Sequence, residues 1–189
     1  MHIDLLRHGE PQGGVKYRGH GVDDALSDKG WRQMWSAVEG AGPWQQIAHS
    51  PLLRCREFAL ALATREGLPT VEDARWREVG FGSWEGRTRD ALEQEDPGVV
   101  DRFTRDPVRH RPAGAEPLEN FCGRVSQAWD ELVKQAPGDT LLVAHAGVIR
   151  AVLAHVLAIP PVNLYRLHIG SAARIRIRLP AGRPPQVQL

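Results

Sequence analysis

The sequence DTLLVAHAGVIRAVLAHVLAIPP, residues 139–161, predicts a strand that passes directly into a helix. Residues 140–144 are a short, almost continuous apolar run, which is typical of a strand buried on both faces. From Gly147 onward the apolar residues follow a helical pattern, and the helix is predicted to end before Pro160. His145 lies at the junction. Because buried strands followed by helices build parallel sheets, this stretch indicates an α/β fold.

A similar junction opens the chain. Residues 2–8 are predicted to be a strand because the apolar part of IDLLRHGEP, residues 3–11, is followed by a glycine-rich stretch. His8 lies at the end of this strand, and residues 10–25 are predicted to be a long loop. Strands and helices alternate along the chain without an internal repeat, so we expect a central, mostly parallel sheet.

Two serines are predicted to cap helices. Ser27 precedes an amphipathic segment, and Ser50 precedes Pro51, which suits the first position of a helix. Arg54 is then in the first turn of the second helix. Glu78 falls in RWREVGFGSWEGRTRD, whose glycines and aromatic residues without either period indicate an ordered loop.

Three further segments are predicted from their sequence patterns. Residues 86–115 form one or two weak helices broken by prolines, and residues 117–136 form an amphipathic helix. In residues 173–179 isoleucine and leucine alternate with arginine, which predicts a half-exposed edge strand protected by charge.

Length and composition indicate one domain over residues 1–189. The 24 lysines and arginines nearly balance the 23 acidic residues, so net charge does not favour nucleic acid or an anionic membrane as a partner. Cys55 and Cys122 are too far apart in sequence and too few to indicate a disulfide framework or a zinc site. No basic leader or membrane-spanning apolar segment is apparent, so we expect a soluble, cytoplasmic protein.

The polar residues at strand ends suggest a phosphate site. Ligands of open α/β sheets bind beyond the carboxyl ends of the strands, where His8, His145 and Arg54 are predicted to converge. Arginine binds pairs of phosphate oxygens, and a neutral imidazole is able to attack phosphorus. Taken singly, each residue also fits a structural role, as a hydrogen-bonded histidine, a surface arginine or a solvated loop carboxylate.

Five segments in order resemble the motifs of the histidine phosphatase superfamily, also called phosphoglycerate-mutase-like. LLRHGE resembles its arginine-histidine-glycine signature, and VAHAGVIR resembles its second-histidine segment. Between them lie GVDDALSDKGWRQM, HSPLLRC and REVGFGSWEG, which are similar to three further motifs of the family. The resemblance covers the chain from residue 3 to about residue 155.

This resemblance implies a role for each matching residue. His8 would be the nucleophile that forms a phosphohistidine, and Glu78 would protonate the leaving alcohol and then accept a proton from water. Arg7, Arg54 and His145 would bind the phosphoryl oxygens and stabilise the transition state. No metal or cofactor is implied, since the arginines supply the positive charge.

The resemblance also implies a fold and an activity. The expected fold is a three-layer α/β/α sandwich with an inserted cap over the active site, at about residues 77–115. The expected activity is metal-independent hydrolysis of a small phosphomonoester, with α-ribazole 5′-phosphate among the candidates, and homodimer formation is left open.

Three alternatives remain at this stage. A mutase would return the phosphoryl group to another oxygen of the substrate, but it must shield phosphohistidine from water, and the family members that do so generally have a longer chain and a larger cover than this one. A phospho-ligand-binding module without activity would need neither His8 nor Glu78. A nucleic-acid or protein-interaction module would use Arg174, Arg176 and Arg178 as its basic surface.

Overall fold

The computed structural model describes residues 1–188 and contains a central sheet of six strands in the order β3-β2-β4-β1-β5-β6. The strands are β1 (His2–Arg7), β2 (Gln46–His49), β3 (Thr70–Glu72), β4 (Thr140–Ala144), β5 (Arg174–Arg178) and β6 (Gln186–Gln188). Strands β1 to β4 run parallel, whereas β5 and β6 are antiparallel to their neighbours. The predicted mostly parallel sheet is therefore confirmed.

Six α-helices cover the two faces and one end of this sheet. They are α1 (Asp28–Val38), α2 (Leu53–Glu66), α3 (Arg89–Glu95), α4 (Val99–Arg105), α5 (Leu118–Gln135) and α6 (Ala146–Leu157). The buried side chains of α1 and α2 belong to one apolar cluster, and those of α5 and α6 belong to another. The sheet lies between these clusters, which confirms the three-layer α/β/α architecture.

Strand β1 lies in the interior of the sheet, and both of its faces are buried. Ile3 and Leu5 pack in the cluster of α5 and α6, and Leu6 packs in the cluster of α1 and α2. Asp4 lies between them with no solvent exposure. A carboxylate is tolerated there because it accepts hydrogen bonds from side chains on the same face of the sheet.

The prediction of an edge strand at residues 173–179 is wrong. Strand β5 pairs with β1 on one side and with β6 on the other, so the short β6 forms the edge. Arg176 Nε donates to Asp4 Oδ1 at 2.8 Å, and Arg174 Nη1 donates to Asp4 Oδ2 at 3.2 Å. These arginines neutralise a buried carboxylate. The alternation of arginine with isoleucine therefore marks contact with Asp4, and not a free edge of the sheet.

The two predicted serine caps have different outcomes. Ser27 Oγ accepts a hydrogen bond from Gly30 N at 3.1 Å, which confirms Ser27 as the cap of α1. The prediction for Ser50 and Pro51 is wrong, because α2 begins at Leu53 and its N-cap is Leu52. A bend at Pro51 and Leu52 precedes the helix, and Ser50 Oγ accepts a hydrogen bond from Leu52 N at 3.3 Å.

The segments with weak patterns follow the predictions closely. Within residues 10–25 there is no helix and no strand longer than an isolated bridge, as expected of a loop. Residues 86–115 contain the two short helices α3 and α4, separated by Pro97 and Gly98.

No helix within residues 1–188 has the length and apolar character required to span a membrane.

Candidate active site

A cavity of about 370 Å³ opens at the carboxyl ends of β1 and β4. Its lining includes four of the five predicted site residues, namely Arg7, His8, Arg54 and Glu78. The fifth, His145, lies directly behind His8, since the two imidazole centroids are 5.3 Å apart in an edge-on arrangement. The structure therefore brings all five predicted residues together, with His145 contacting His8 instead of lining the cavity.

His8 follows the last residue of β1 and is almost completely buried. Its Nδ1 lies 2.7 Å from the carbonyl oxygen of Gly9, an acceptor, so Nδ1 carries the proton and Nε2 carries the lone pair. Burial, together with the guanidinium charges of Arg54 and Arg7, holds the pKa of His8 well below its usual range. The ring is thus neutral and has an unprotonated nitrogen at neutral pH.

His145 caps the N-terminus of α6 and has no solvent exposure. Its Nε2 lies 2.7 Å from Ser50 Oγ, and the Sγ atom of Cys55 is 3.6 Å from the same nitrogen. Burial and the charge of Arg54 also hold the pKa of His145 well below its usual range. Ser50 is therefore a partner of the second histidine, a role that its interpretation as a helix cap concealed.

The two predicted phosphate-binding arginines are held by backbone carbonyl groups. Arg7 Nη1 donates to Ile169 O at 2.6 Å. Arg54 is buried and donates from Nη2 to Gly19 O at 2.8 Å and from Nη1 to Val22 O at 3.0 Å. The Nε atoms of both arginines are buried without a hydrogen-bond partner among the described residues. Two oriented cations with unused donor capacity fit an anionic ligand.

Glu78 reaches the same cavity from the loop between two 3₁₀ turns, Ala74–Trp76 and Gly82–Trp84. Its Oε1 accepts from Val79 N at 2.9 Å, and its Oε2 accepts from Gly147 N at 3.2 Å. The carboxyl group therefore sits against the first turn of α6, beside the cavity. An added Cβ at Gly147 would lie 2.2 Å from Glu78 Oε1, so a larger residue there would displace the carboxyl group.

Arg124 of α5 supports the loop that carries Glu78. Its guanidinium donates to the carbonyl oxygens of Arg75 at 2.6 Å, Arg77 at 2.8 Å and Glu78 at 3.2 Å. Glu116 links Arg124 to the same loop, because it accepts hydrogen bonds from Arg124 Nε at 2.8 Å and from Gly80 N at 3.1 Å. A single ion pair thus fixes the backbone on both sides of the candidate acid.

Sequence reasoning missed several residues that line the cavity. Arg150 and Tyr165 form one flank, and Arg18 and Lys16 reach it from the loop at residues 10–25. Arg150 lies in the quoted motif VAHAGVIR, three residues after Gly147, which also lines the cavity, so helical spacing provided a signal that it shares the site. Tyr165 had no comparable signal, since it lies on the 3₁₀ turn Pro161–Arg166, outside every quoted motif.

Among residues 1–188, no three histidine, cysteine, aspartate or glutamate side chains form a group that would hold a metal ion. What the arrangement does supply is a neutral imidazole with a free Nε2, two guanidinium groups and a carboxyl group around one small cavity. This combination suits nucleophilic attack on a phosphoryl group with proton transfer to the leaving group.

Comparison with known proteins supports this assignment. A glucosyl-3-phosphoglycerate phosphatase of Mycolicibacterium vanbaalenii is 35% identical over 170 residues, which cover 84% of this chain and 75% of the relative. A bifunctional protein of Mycobacterium tuberculosis is 31% identical over 175 residues, which cover 89% of this chain. The aligned residues are 48% of that relative, so the chain spans about half the length of such longer relatives.

Solved structures agree with the sequence comparison. A mycobacterial glucosyl-3-phosphoglycerate phosphatase, described in complex with VO3, superimposes with a TM-score of 0.89 at 28% identity, covering 100% of this chain and 97% of the other. An alpha-ribazole phosphatase from Shigella flexneri superimposes with a TM-score of 0.81 at 24% identity, covering 96% and 92%, and this likeness concerns the fold alone. The family model for the histidine phosphatase superfamily (branch 1) matches residues 3–189. The chain therefore belongs to the histidine phosphatase superfamily.

Proposed function

We propose that this protein is a metal-independent phosphomonoester hydrolase that acts through a phosphohistidine on His8. The observation that carries the proposal is the state of the His8 ring. Its Nδ1 is committed to Gly9 O, and burial with two nearby guanidinium groups keeps the ring neutral, so Nε2 is available as a nucleophile at the cavity.

The proposed reaction has two steps. In the first, His8 Nε2 attacks phosphorus, the bond between phosphorus and the ester oxygen breaks, and the Glu78 carboxyl group gives its proton to the leaving alcohol. In the second, Glu78 takes a proton from water as the water oxygen attacks phosphohistidine, which releases phosphate and restores His8. Arg7 and Arg54 stabilise the charge on the phosphoryl oxygens in both transition states.

His145 is proposed as a further ligand of the phosphoryl group. Its edge-on contact with His8, with the ring centroids 5.3 Å apart, supports this role. The hydrogen bond with Ser50 Oγ would orient the His145 ring for that contact.

A small phosphorylated metabolite is the proposed substrate, and the cavity of about 370 Å³ suits one. α-Ribazole 5′-phosphate is one candidate, although the similarity to an alpha-ribazole phosphatase concerns the fold alone. Sequence similarity favours an ester of a phosphorylated glyceric acid, because a glucosyl-3-phosphoglycerate phosphatase is 35% identical to this chain.

We further propose that residues 77–115 act as a cap over the site, since Phe81, Phe103 and Thr104 of this segment line the cavity. We also propose a cytoplasmic location. Homodimer formation and the lack of nucleic-acid or membrane partners stay predictions.

The main test is turnover of p-nitrophenyl phosphate in the presence of a chelator. We expect the wild type to be active and His8→Ala to be inactive. Alkaline quenching followed by mass spectrometry should detect phosphohistidine in the wild type alone. His155→Ala is the matched control, because His155 is exposed on α6 and pairs with Asp130 away from the cavity. Equal activity of wild type and His8→Ala would refute the nucleophile assignment.

A second test concerns Glu78. Glu78→Gln should slow the hydrolysis of alkyl phosphates by roughly 100-fold or more, whereas p-nitrophenyl phosphate should be affected much less, since nitrophenolate barely needs a proton. Equal losses on both substrates would remove the acid role.

The alternative functions give different results in the same assays. A mutase would convert a phosphoglycerate into its isomer faster than it releases inorganic phosphate. A binding module would retain phosphate esters without turnover of any of them.

A further inference from the structure

His20 connects the loop at residues 10–25 with the segment that carries Glu78. Its Nδ1 lies 3.2 Å from the carbonyl oxygen of Glu78, 58 positions later in the chain. Because a carbonyl oxygen only accepts, Nδ1 carries the proton and donates it to this hydrogen bond. The His20 side chain is half-buried and does not line the cavity, so any effect of this residue on the reaction acts through Glu78.

Gly80 allows the His20 ring to approach the backbone closely. An added Cβ at Gly80 would lie 2.7 Å from His20 Cε1 and 3.3 Å from the Cβ of Glu116, so the imidazole ring packs directly against the glycine. The ring is therefore both packed and hydrogen-bonded, and these two restraints together fix its orientation.

The carbonyl oxygen of Glu78 is held from two directions. It accepts a hydrogen bond from Arg124 Nη2 of α5 at 3.2 Å in addition to the bond from His20. A carbonyl oxygen has two lone pairs and accommodates both donors. Within residues 1–188, His20 provides the only side-chain hydrogen bond between residues 10–25 and this peptide group. Arg124 thus fixes Glu78 to α5, whereas His20 fixes it to the loop.

The same part of the loop orients Arg54. The carbonyl oxygens of Gly19 and Val22 accept from Arg54 Nη2 at 2.8 Å and from Arg54 Nη1 at 3.0 Å, and these two residues flank His20 in sequence. One short stretch of backbone therefore contacts both the proposed phosphate ligand and the peptide of the proposed acid. The relative position of these two groups depends on residues 19–22.

We infer that His20 is a positioning residue, which holds the peptide of Glu78 against residues 19–22 and so places the proposed acid relative to Arg54. An acid must lie within hydrogen-bond reach of the leaving oxygen, so a loosely held Glu78 slows the reactions that need its proton. The inference rests on the proposed function for its effect on rate. The contact itself, and the restraint on the Glu78 carboxyl group, are properties of the protein without substrate.

Leucine and asparagine provide a matched pair of substitutions, because their side chains have the same branched shape and only asparagine donates a hydrogen bond. In His20→Leu, kcat for an alkyl phosphate should fall about 3- to 10-fold, and kcat for p-nitrophenyl phosphate by less than about 2-fold. The inhibition constant of inorganic phosphate should change by less than about 2-fold, since Arg54 keeps its backbone partners. His20→Asn should restore all three values, because its Nδ2 takes the place of the ring Nδ1.

His110→Leu is the control for an equal change elsewhere. His110 is exposed within residues 77–115 and does not line the cavity, so this variant should match the wild type on both esters. The inference would be overturned by equal losses on both esters in His20→Leu, or by phosphate inhibition that weakens as much as kcat falls, because either result would assign His20 to general support of the loop. Failure of His20→Asn to recover activity, or an equal loss in His110→Leu, would also overturn it.

Hydrogen exchange of the Val79 amide tests the inference without turnover. Val79 N donates to Glu78 Oε1 at 2.9 Å and the residue is buried, so its exchange rate measures how firmly the carboxyl group is held. The rate should rise about 3- to 10-fold in His20→Leu and stay within about 2-fold of the wild type in His20→Asn. This result in a protein that hydrolyses no ester would refute the proposed function while supporting the positioning role. An unchanged rate in His20→Leu would refute the positioning role even in an active enzyme.

Discussion

The contact between Gly147 and Glu78 leads to a prediction in which activity and stability respond differently to one methyl group. In Gly147→Ala the new Cβ would lie 2.2 Å from Glu78 Oε1, whereas an ordinary carbon–oxygen contact is about 3.3 Å. The carboxyl group must therefore move by about 1 Å, away from the N–H groups of Val79 and Gly147 that hold it. A displacement of this size is sufficient to cost about 100-fold in rate.

The effect on stability should be small because two changes oppose each other. Alanine is favoured over glycine in a helix by up to about 1 kcal/mol, and this gain offsets the weakened hydrogen bonds of a carboxyl group that water also reaches. We expect the free energy of unfolding to change by less than about 1 kcal/mol, which corresponds to a shift in Tm of at most about 4 °C in a protein of this size.

The assay uses one good and one poor leaving group. Gly147→Ala should lose about 100-fold in kcat on an alkyl phosphate and less than about 5-fold on p-nitrophenyl phosphate, because only the first needs a positioned acid. Gly123→Ala is the matched control, since Gly123 lies within α5 and an added Cβ meets no atom within 4 Å. That variant should be more stable by up to about 1 kcal/mol and fully active. Full activity of Gly147→Ala on the alkyl phosphate would refute the placement of the acid.

Three further predictions concern the support of the site and the fold. Arg124→Lys should slow alkyl phosphate hydrolysis more than p-nitrophenyl phosphate hydrolysis, because lysine cannot span the carbonyl groups that fix the Glu78 loop; an equal loss on both would indicate general damage to the structure. The pKa of His145 in the folded protein lies below the 6.5 of an unfolded histidine, so the unfolded state takes up the proton first and the free energy of unfolding should fall as the pH drops below about 6.5. Urea titrations of His145→Gln between about pH 7 and 5 should show a slope smaller by up to about 1.4 kcal/mol per pH unit, and an unchanged slope would contradict a buried neutral ring. Ser27→Ala should lower the free energy of unfolding by about 1 kcal/mol through loss of the α1 cap, and a change below about 0.3 kcal/mol would contradict that role.

The sequence allowed accurate prediction where the determining forces are local. The strand at residues 140–144 is confirmed because a continuous apolar run needs burial on both faces, whatever covers it. Ser27 is confirmed because capping depends on an amide three residues away. The convergence of His8 and His145 follows from parallel strands, whose carboxyl ends share one edge of the sheet.

Predictions that depended on contacts between distant residues were less successful. The arginines of β5 pair with Asp4, which is about 170 positions earlier, and no local pattern reveals a buried carboxylate partner. Ser50 precedes a proline as a helix cap often does, but its hydroxyl group pairs with His145, 95 positions away. Tyr165 joins the cavity only because the turn at residues 161–166 packs against α6. In each case the tertiary partner determined the role.

The hydrogen bonds from Arg54 to the carbonyl oxygens of Gly19 and Val22 limit which sequence changes the loop at residues 10–25 is able to accept. A mutation that reshapes the loop near those two residues also shifts the side chain proposed to bind phosphate, so a change of specificity made there should be coupled to a loss in turnover. The tip of the loop is free of this constraint, since Val15 is 89% exposed and Gly14 has open space around it. Diversification by insertion or by library design should therefore be concentrated at residues 13–15, where altered substrate recognition leaves the arginine in place.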